Sequence, residues 1–313
     1  MRVVITGGSG FVGAHLARTL AGRGDEVTCL DVGPSSPLLR GLEAVTVERC
    51  DVGWWPELLE RVRTADPQVV FHTAGILSAF AEERPHAAYR ANVTGTLNVL
   101  EAARVSNARV VFTSTIATYG AGVPPTVGET TQQRPTTMYG VSKVFGELLG
   151  EYYLRRFGVD FRAIRLPSVI GLGRGPGGAS AYSSLIVSEP ARGRPFRVPL
   201  DEEATIPLLY VKDAVDALVG IAETGTEGLR RRTYGVAGFS PTAAELAKAV
   251  IQVIPEADIA FAPDPALVEI VDSWPSRMDG TEARSDWAWK ESFGLTEAVT
   301  DFVNEIRTHP DWP

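Results

Sequence analysis

The sequence predicts an α/β fold built on a doubly wound parallel sheet, and two observations support this fold class. Short runs rich in β-branched and aromatic residues alternate with longer segments of helical periodicity through residues 1–167. Such alternation is typical of parallel strands connected by helices. In addition, a glycine-rich turn directly follows the first apolar run, and a turn of this kind marks the ligand-binding end of such a sheet.

The expected elements of this part of the chain follow one another in a regular order. Strands are predicted at residues 2–6, 25–30, 45–47, 69–72, 109–113 and 161–166. Helices are predicted at about residues 15–20, 55–64 and 85–105, and a further helix carries Tyr139 and Lys143. Because ligands of a doubly wound sheet bind at the carboxyl ends of its strands, functional residues are expected there.

The turn after the first strand reads Gly7-Gly8-Ser9-Gly10-Phe11-Val12-Gly13. Its glycines at positions 7, 10 and 13 let the backbone approach a pyrophosphate closely. The helix that follows offers free amide donors and the positive end of its dipole to the same group. A strand precedes this turn and a helix follows it, so the motif predicts a dinucleotide site rather than an ordinary tight turn.

The second strand ends at Asp31, where a carboxylate can accept hydrogen bonds from both hydroxyls of an adenosine ribose. The same negative charge would repel a 2′-phosphate. Val32 and Gly33 follow, and no Arg stands immediately after them. The sequence therefore predicts NAD, rather than NADP, as the cofactor.

Tyr139 and Lys143 are four residues apart, which places them on one face of a helix. An unperturbed Tyr has a pKa of about 10, so a phenolate base near neutral pH needs a shift of about 3 units. A nearby ammonium and an oxidised nicotinamide ring could supply that shift. Thr115, at the end of the fifth strand, could orient a substrate hydroxyl while Tyr139 removes its proton. We therefore predict Thr115, Tyr139 and Lys143 as the catalytic residues.

The pattern changes after Pro167. Residues 171–178 are glycine-rich and predicted to form a loop, and short strands then mix with helices at about residues 214–222 and 242–254. We expect residues 1–167 to form an NAD-binding, Rossmann-type domain that carries the catalytic residues. Residues 168–313 are expected to form mainly a smaller α/β substrate-binding cap, partly interleaved with the first domain.

Composition narrows the possible partners. A formal net charge of −8 argues against nucleic acid or an anionic membrane surface as the main partner. No stretch is apolar enough to span a bilayer, and no leading apolar segment suggests a signal peptide. Cys29 and Cys50 suit buried thiols in a reducing cytoplasm, and His15, His86 and His309 show no metal-ligand spacing. We therefore predict a cytoplasmic enzyme with a small-molecule substrate and no metal.

On these motifs the chain resembles the extended short-chain dehydrogenase/reductase family, which includes NAD-dependent epimerases and dehydratases. The resemblance runs nearly the whole length and includes residues 51–52 and 72–75 and Asn92. It implies a set of cofactor-binding residues: Gly7, Gly10, Phe11, Val12, Gly13, Asp31, Asp51, Val52, Thr73, Ala74, Gly75, Asn92, Tyr139, Lys143, Leu166 and Pro167. It also implies that Lys143 binds the nicotinamide ribose.

Within that family, residues 72–79, 176–178, 207–211, 272–275 and 283–290 are similar to the short-chain type of L-threonine 3-dehydrogenase. This resemblance implies oxidation of the L-threonine β-hydroxyl with NAD, which gives 2-amino-3-oxobutanoate. It implies a set of substrate-binding residues: Ser78, Thr115, Tyr139, Gly178, Ser180 and Trp274.

One loop departs from the pattern of those enzymes. Paired threonines and an acid usually precede the tyrosine there, whereas this chain reads Gly178-Ala179-Ser180-Ala181-Tyr182. Three alternatives therefore stay open: a sugar-acid dehydrogenase, a nucleotide-sugar epimerase, and a non-catalytic NAD-binding sensor. The presence of all three catalytic residues argues against the sensor. The family often pairs through its long helices, and the sequence allows either a monomer or a homodimer.

Overall fold

The computed structural model describes residues 1–176, 178 and 180–312. Its strands are β1 (Arg2–Thr6), β2 (Glu26–Asp31), β3 (Val45–Arg49), β4 (Val69–His72), β5 (Arg109–Thr115), β6 (Thr126–Val127), β7 (Phe161–Leu166), β8 (Ser168–Ile170), β9 (Phe196–Val198), β10 (Leu208–Tyr210), β11 (Thr233–Gly235), β12 (Ile259–Phe261) and β13 (Arg277–Met278). Its α-helices are α1 (Phe11–Gly22), α2 (Trp55–Ala65), α3 (Ser78–Glu83), α4 (Pro85–Ala88), α5 (Gly95–Ser106), α6 (Met138–Phe157), α7 (Tyr182–Ala191), α8 (Val211–Glu223), α9 (Ala243–Val253), α10 (Pro265–Asp272), α11 (Thr281–Trp287) and α12 (Leu295–Thr308).

The centre of the molecule is a seven-stranded sheet in the order β11-β7-β5-β4-β1-β2-β3. Every neighbouring pair in it is parallel. The strand order reverses direction between β1 and β4, which is the position where a doubly wound sheet opens a ligand-binding crevice. The predicted fold class is confirmed.

Helices cover both faces of this sheet. In β1, Val3 and Ile5 pack into one hydrophobic cluster with residues of α1 and α8, whereas Val4 packs into a second cluster with residues of α2 and α5. Alternate side chains of a strand point to opposite faces, so both faces of β1 need apolar residues. The continuous apolar runs of the sequence reflect this two-sided burial.

The helix predicted at residues 85–105 is interrupted. Between α4 and α5, Tyr89–Thr94 forms a π-helical turn, a feature that often lies beside functional sites. The Thr96 hydroxyl at the start of α5 donates to the Asn92 carbonyl within this turn at 2.6 Å. Strand β5 in turn extends two residues past the predicted 109–113, because Ser114 and Thr115 continue the ladder with β7.

Residues after 167 return to the structure formed by the first part. Strand β11 pairs with β7 at the edge of the central sheet, and α8 packs on one sheet face. Strand β13 pairs with β6, which joins residues 277–278 to residues 126–127. The described residues of 171–178 contain no helix or strand. Within the described part of the chain, no helix is long and apolar enough to cross a membrane.

Helix α6 lies unusually close to the sheet because it presents glycines to it. A Cβ added at Gly146 would lie 2.5 Å from the Phe112 ring of β5, and one at Gly150 would lie 2.2 Å from the Phe161 ring of β7. Both distances are far below van der Waals contact. The depth at which α6 is seated therefore depends on these glycines.

We expect Gly150→Ala to lower the free energy of unfolding by about 2 kcal/mol, because the new methyl group overlaps a packed aromatic ring. Gly22→Ala is the matched control, since it also lies in a helix and a Cβ there meets nothing within 4 Å. Ala should leave stability unchanged or slightly raised at position 22. Urea denaturation measures both changes. Equal stabilities for the two variants would contradict the seating of α6.

Candidate active site

The turn between β1 and α1 leaves no room for side chains. Gly7 has φ of +72°, and a Cβ there would lie 2.7 Å from the backbone of Ala74. A Cβ at Gly13 would lie 2.2 Å from the Gly7 carbonyl oxygen. Because Gly10 caps α1 without a side-chain hydrogen bond, amides of the first helical turn stay available to an anion. The turn therefore fits the diphosphate of a dinucleotide.

Asp31 is held in a defined orientation at the carboxyl end of β2. Its Oδ2 accepts from the Ser9 amide at 3.0 Å and its Oδ1 from the Gly33 amide at 2.9 Å. The carboxylate lines a cavity of about 300 Å³ beside Gly10 and Phe11. A carboxylate acceptor next to the diphosphate turn fits the adenosine ribose, and its charge disfavours a 2′-phosphate at that place.

A larger cavity of about 600 Å³ opens at the carboxyl ends of the central strands. We call it the cleft. It brings together sixteen of the predicted site residues: Gly7, Gly10, Phe11, Val12, Gly13, Thr73, Gly75, Ser78, Thr115, Tyr139, Lys143, Leu166, Pro167, Gly178, Ser180 and Trp274. All residues predicted to bind substrate thus lie around one cavity with the three predicted catalytic residues. Gly177 and Ala179, which the sequence motifs also include, lie outside the described residues.

Four predicted cofactor residues do not line either cavity: Asp51, Val52, Ala74 and Asn92. Asp51 accepts from the Gly53 amide at 2.9 Å and pairs with Arg90. Asn98 donates to the Val52 carbonyl at 2.8 Å. Their contact with a cofactor stays a prediction.

The Asn92 side chain connects two elements that border the cleft. Its Oδ1 accepts from the Ile76 amide at 2.8 Å, and its Nδ2 donates to the Ile76 carbonyl at 3.0 Å. The same Nδ2 lies 3.1 Å from the Ser142 hydroxyl on α6. All of the amide's main donor and acceptor positions are therefore occupied within the protein. This arrangement positions the loop after β4 against the catalytic helix.

Tyr139 lies in the first turn of α6, opposite the end of β5. The helix can approach this closely because residue 140 is a glycine. A Cβ there would lie only 2.2 Å from the Ala117 carbonyl oxygen. Burial raises the pKa of Tyr139 to about 12, while the charge of Arg174 and a hydrogen bond with Thr115 oppose that rise. Tyr139, Thr115 and Arg174 line the same cavity.

Lys143 is almost fully buried, with 3% of its surface exposed. Its Nζ donates to the Thr113 carbonyl at 2.7 Å and lies 5.7 Å from the centre of the Tyr139 ring. Burial lowers the pKa of Lys143 to about 8, and the charge of Glu147 opposes this decrease. The ammonium is thus anchored by β5, one helical turn from the phenol.

Behind Lys143 lies a buried ion pair that the sequence analysis missed. Glu147 and Arg165 approach to 2.7 Å between Oε2 and Nη2. Ser114 and Gln133 also donate to the Glu147 carboxylate, and Arg165 donates to the Tyr119 hydroxyl at 2.9 Å. Such satisfied pairing is what a buried carboxylate requires. The available signal was spacing, since Glu147 is four residues beyond Lys143 on α6.

Arg174 is a second residue to which sequence reasoning gave no specific role. It lines the cleft, and its Nη2 donates to the Ser180 hydroxyl at 3.1 Å. Burial lowers the pKa of its guanidinium, and Tyr139 opposes that decrease. The sequence placed an Arg within a glycine-rich loop, but loop residues carry no periodicity that indicates where a side chain points.

The described residues include no cluster of three or more His, Cys, Asp or Glu side chains that could hold a metal ion. Cys29 and Cys50 are buried free thiols. Burial raises the pKa of each to about 12. Both residues therefore stay protonated and act as small apolar side chains.

Comparisons with known proteins agree with this geometry. The model of the NAD dependent epimerase/dehydratase family matches residues 3–237. The mitochondrial L-threonine 3-dehydrogenase of Bos taurus is 37% identical over 310 residues, which cover 97% of this chain and 82% of that protein. The L-threonine 3-dehydrogenase structure from Trypanosoma brucei superposes with a TM-score of 0.93 at 31% identity, covering 100% of this chain and 98% of that one.

A third relative has a holo structure. The GalE-like L-threonine dehydrogenase from Cupriavidus necator superposes with a TM-score of 0.91 at 33% identity. The match covers 98% of this chain and 100% of that chain. The likeness therefore extends over the central sheet and over the residues after 167.

We expect Asp31→Ala to weaken NAD binding by on the order of tenfold, because two charge-assisted hydrogen bonds to the ribose are lost. The preference for NAD over NADP should narrow at the same time, since the repelling charge is gone. Glu26→Ala is the control, because Glu26 is an exposed carboxylate on the same strand. Fluorescence titration with NADH and NADPH measures both effects. Unchanged NADH affinity in the Asp31 variant would contradict the predicted contact between Asp31 and the ribose.

Proposed function

The chain belongs to the NAD dependent epimerase/dehydratase family, and from that premise we propose that it acts as an L-threonine 3-dehydrogenase. The reaction is oxidation of the secondary hydroxyl of L-threonine, with NAD as hydride acceptor, to 2-amino-3-oxobutanoate. The observation that carries the proposal is the cleft, which places Thr115, Tyr139 and Lys143 beside the predicted substrate residues. Relatives of that name supply the reaction.

The predictions of family, enzyme class and cofactor are confirmed. The family match spans most of the chain, and the relatives compared above are dehydrogenases. In our proposal, Gly7, Gly10, Phe11, Val12 and Gly13 receive the diphosphate through their backbone. Asp31 binds the adenosine ribose, and Leu166 and Pro167 border the nicotinamide end. When bound there, NAD supplies the hydride acceptor and a positive ring charge.

The protein's own residues then handle the proton of the alcohol. Tyr139 acts as the base, Thr115 orients the substrate hydroxyl by hydrogen bonding, and Lys143 holds positive charge one helical turn away. Burial alone would keep the Tyr139 phenol protonated at neutral pH, because it raises its pKa to about 12. Positive charge near the ring must therefore offset that burial before Tyr139 can accept a proton.

Substrate recognition is proposed to come mainly from residues after 167. Gly178, Ser180 and Trp274 line the cleft, and so does Ser78, the first residue of α3. We propose that residues 1–167 bind NAD and carry the catalytic groups, and that residues 168–313 form the cap. The cytoplasmic location stays a prediction.

Two candidate assembly states were left open, and the surface of α6 favours the homodimer. Val141, Phe145, Leu148 and Tyr152 are exposed at 50%, 39%, 60% and 47%, and their spacing places them along one stripe of the helix. Leu97 on the neighbouring α5 is exposed at 39%. A contiguous apolar patch of this kind marks an interaction surface. We infer that α5 and α6 pair with the same helices of a second copy, as a two-fold axis allows.

The first test of the proposed function is NADH formation by the purified protein with NAD and L-threonine. We expect turnover with L-threonine and much slower turnover with L-allo-threonine and L-serine. A nucleotide-sugar epimerase would release no NADH over its cycle. Oxidation of sugar acids without oxidation of L-threonine would refute the threonine assignment and leave the fold and cofactor in place.

We expect Tyr139→Phe to reduce kcat by at least about 1,000-fold, because the base is removed, while the affinity for NADH stays the same. Wild-type kcat/KM should rise with pH from 6 to about 8, since a phenol whose pKa burial raises gains phenolate as pH increases. Above pH 8 the rise should flatten, because Lys143, with a pKa of about 8, loses the charge that supports the phenolate. Tyr152→Phe on the same helix is the control and should keep the wild-type rate. Full activity of Tyr139→Phe would exclude it as the base.

The homodimer predicts that Leu148→Glu produces monomers, because a charge is placed in the centre of the apolar stripe. Light scattering after size exclusion measures the mass of each protein. Arg63→Glu, on the exposed side of α2, should leave the wild-type mass unchanged. A wild-type protein that is monomeric at about 50 μM would contradict the dimer, since the dissociation constant of a stable homodimer lies well below that concentration.

A further inference from the structure

The guanidinium of Arg174 is half-buried in the cleft, and one of its donors is buried without a partner among the described residues. Among the described residues, its Nε has no hydrogen-bond partner although the atom is inaccessible to solvent. Its contact with Ser180 uses one donor of the five that a guanidinium presents. A buried cation without an anionic partner costs stability, which a bound anion restores. The side chain is therefore prepared for an anionic ligand.

The charge of the cleft is one-sided. Three cationic side chains line it, Arg84, Lys143 and Arg174, and none of its described lining residues is Asp or Glu. Lys143 donates to the Thr113 carbonyl, and Arg84 is exposed at the rim. Arg174 is thus a half-buried cation, with no carboxylate beside it among the described lining residues, that a ligand inside the cleft would meet. A ligand ammonium would meet no carboxylate among these residues.

The position of Arg174 places this cation beside the reacting end of the cleft. Arg174 and Tyr139 line the same cavity, and the charge of Arg174 opposes the rise that burial causes in the pKa of the phenol. Arg174 also donates to Ser180, one of the proposed substrate residues. A planar guanidinium pairs with a carboxylate through two parallel hydrogen bonds. An acid whose hydroxyl reaches Tyr139 could therefore present its carboxylate to Arg174.

We propose that Arg174 binds the carboxylate of the substrate, so that the protein selects secondary alcohols that carry a carboxylate and gains little from an α-ammonium group. This inference deepens the proposed function and rests on it for the alcohol oxidation. Each such substrate loses a hydride from its carbinol carbon to NAD and the hydroxyl proton to Tyr139.

The diphosphate of the cofactor is a second possible ligand for Arg174, because it also carries anionic oxygens. Arg174 lies 5.9 Å from the centre of the Phe11 ring, and Phe11 begins the helix that faces the diphosphate. We favour the substrate carboxylate over the diphosphate as the ligand of Arg174. Arg174 donates to Ser180, a proposed substrate residue, and lines the same cavity as Tyr139. The two ligands differ in what is lost with Arg174: substrate selectivity in one case and cofactor affinity in the other.

The experiment compares three alcohols with the same carbinol configuration. L-Threonine carries both charges, (R)-3-hydroxybutanoate lacks the amine, and L-threoninamide lacks the carboxylate. For the wild-type protein, we expect kcat/KM for (R)-3-hydroxybutanoate within about tenfold of the value for L-threonine. The value for L-threoninamide should be lower by on the order of 100-fold, the scale of hydrogen bonds between charged groups.

Arg174→Met should lower kcat/KM for both acids by on the order of 100-fold and that for L-threoninamide by less than about threefold. Arg174→Gln is a second variant in case Met disturbs the loop, and Arg63→Met, an exposed residue of α2, is the control. Two binding measurements accompany the kinetics. Calorimetry should show weaker binding of L-threonine to the NADH-saturated variant, and fluorescence titration should show unchanged NADH affinity.

Three results would overturn the inference. Equal losses for all three alcohols together with weaker NADH binding would assign Arg174 to the diphosphate. Wild-type rates for both Arg174 variants with L-threonine would leave the residue without a role and would still support the proposed function. Faster oxidation of L-threoninamide than of (R)-3-hydroxybutanoate would refute selection for a carboxylate. In contrast, oxidation of (R)-3-hydroxybutanoate alone would refute the threonine assignment and support the inference.

Discussion

The close packing of α6 against β5 and β7 is the contact on which the site depends. Gly146 and Gly150 allow the helix backbone to approach the sheet more closely than any larger residue would permit, and Gly140 does the same toward Ala117 in the turn after β5. Tyr139 and Lys143 project from that helix toward the end of β5, where Thr115 lies. A shift of the helix by the width of one methyl group would move Tyr139 and Lys143 relative to Thr115. The packing of these glycines therefore sets the distance of Tyr139 and Lys143 from Thr115.

Buried charge in this protein is treated in two ways. Glu147 and Arg165 satisfy one another and also bond Ser114, Gln133 and Tyr119, so they form part of the permanent structure. Arg174 has no such partner among the described residues. Since burial of an unpaired charge is costly, the difference separates a structural pair from a group that awaits a ligand. Lys143 lies between these cases, with its ammonium held by a backbone carbonyl.

The cleft combines residues from distant parts of the chain. The pairing of β13 with β6 brings residues near 277 against residues near 126, and Trp274 enters the cleft from the loop that precedes β13. Strand β11 similarly returns the chain to the edge of the central sheet. Residues after 167 thus complete the cleft while they share the core of the first part.

The sequence by itself determined the sheet and the dinucleotide turn, because these depend on local periodicity and on fixed spacings along single elements. On the same grounds it predicted Asp31, Thr115, Tyr139 and Lys143 as site residues. It also indicated Ser78, Ser180 and Trp274 by resemblance. The Glu147–Arg165 pair, the anchoring role of Asn92 and the orientation of Arg174 were decided by tertiary structure alone. Each depends on contacts between a helix, a strand and a loop that are far apart in sequence, and no local pattern records where such side chains meet. The same reason explains the π-helical turn at Tyr89–Thr94, which replaces part of a helix that periodicity predicted as continuous.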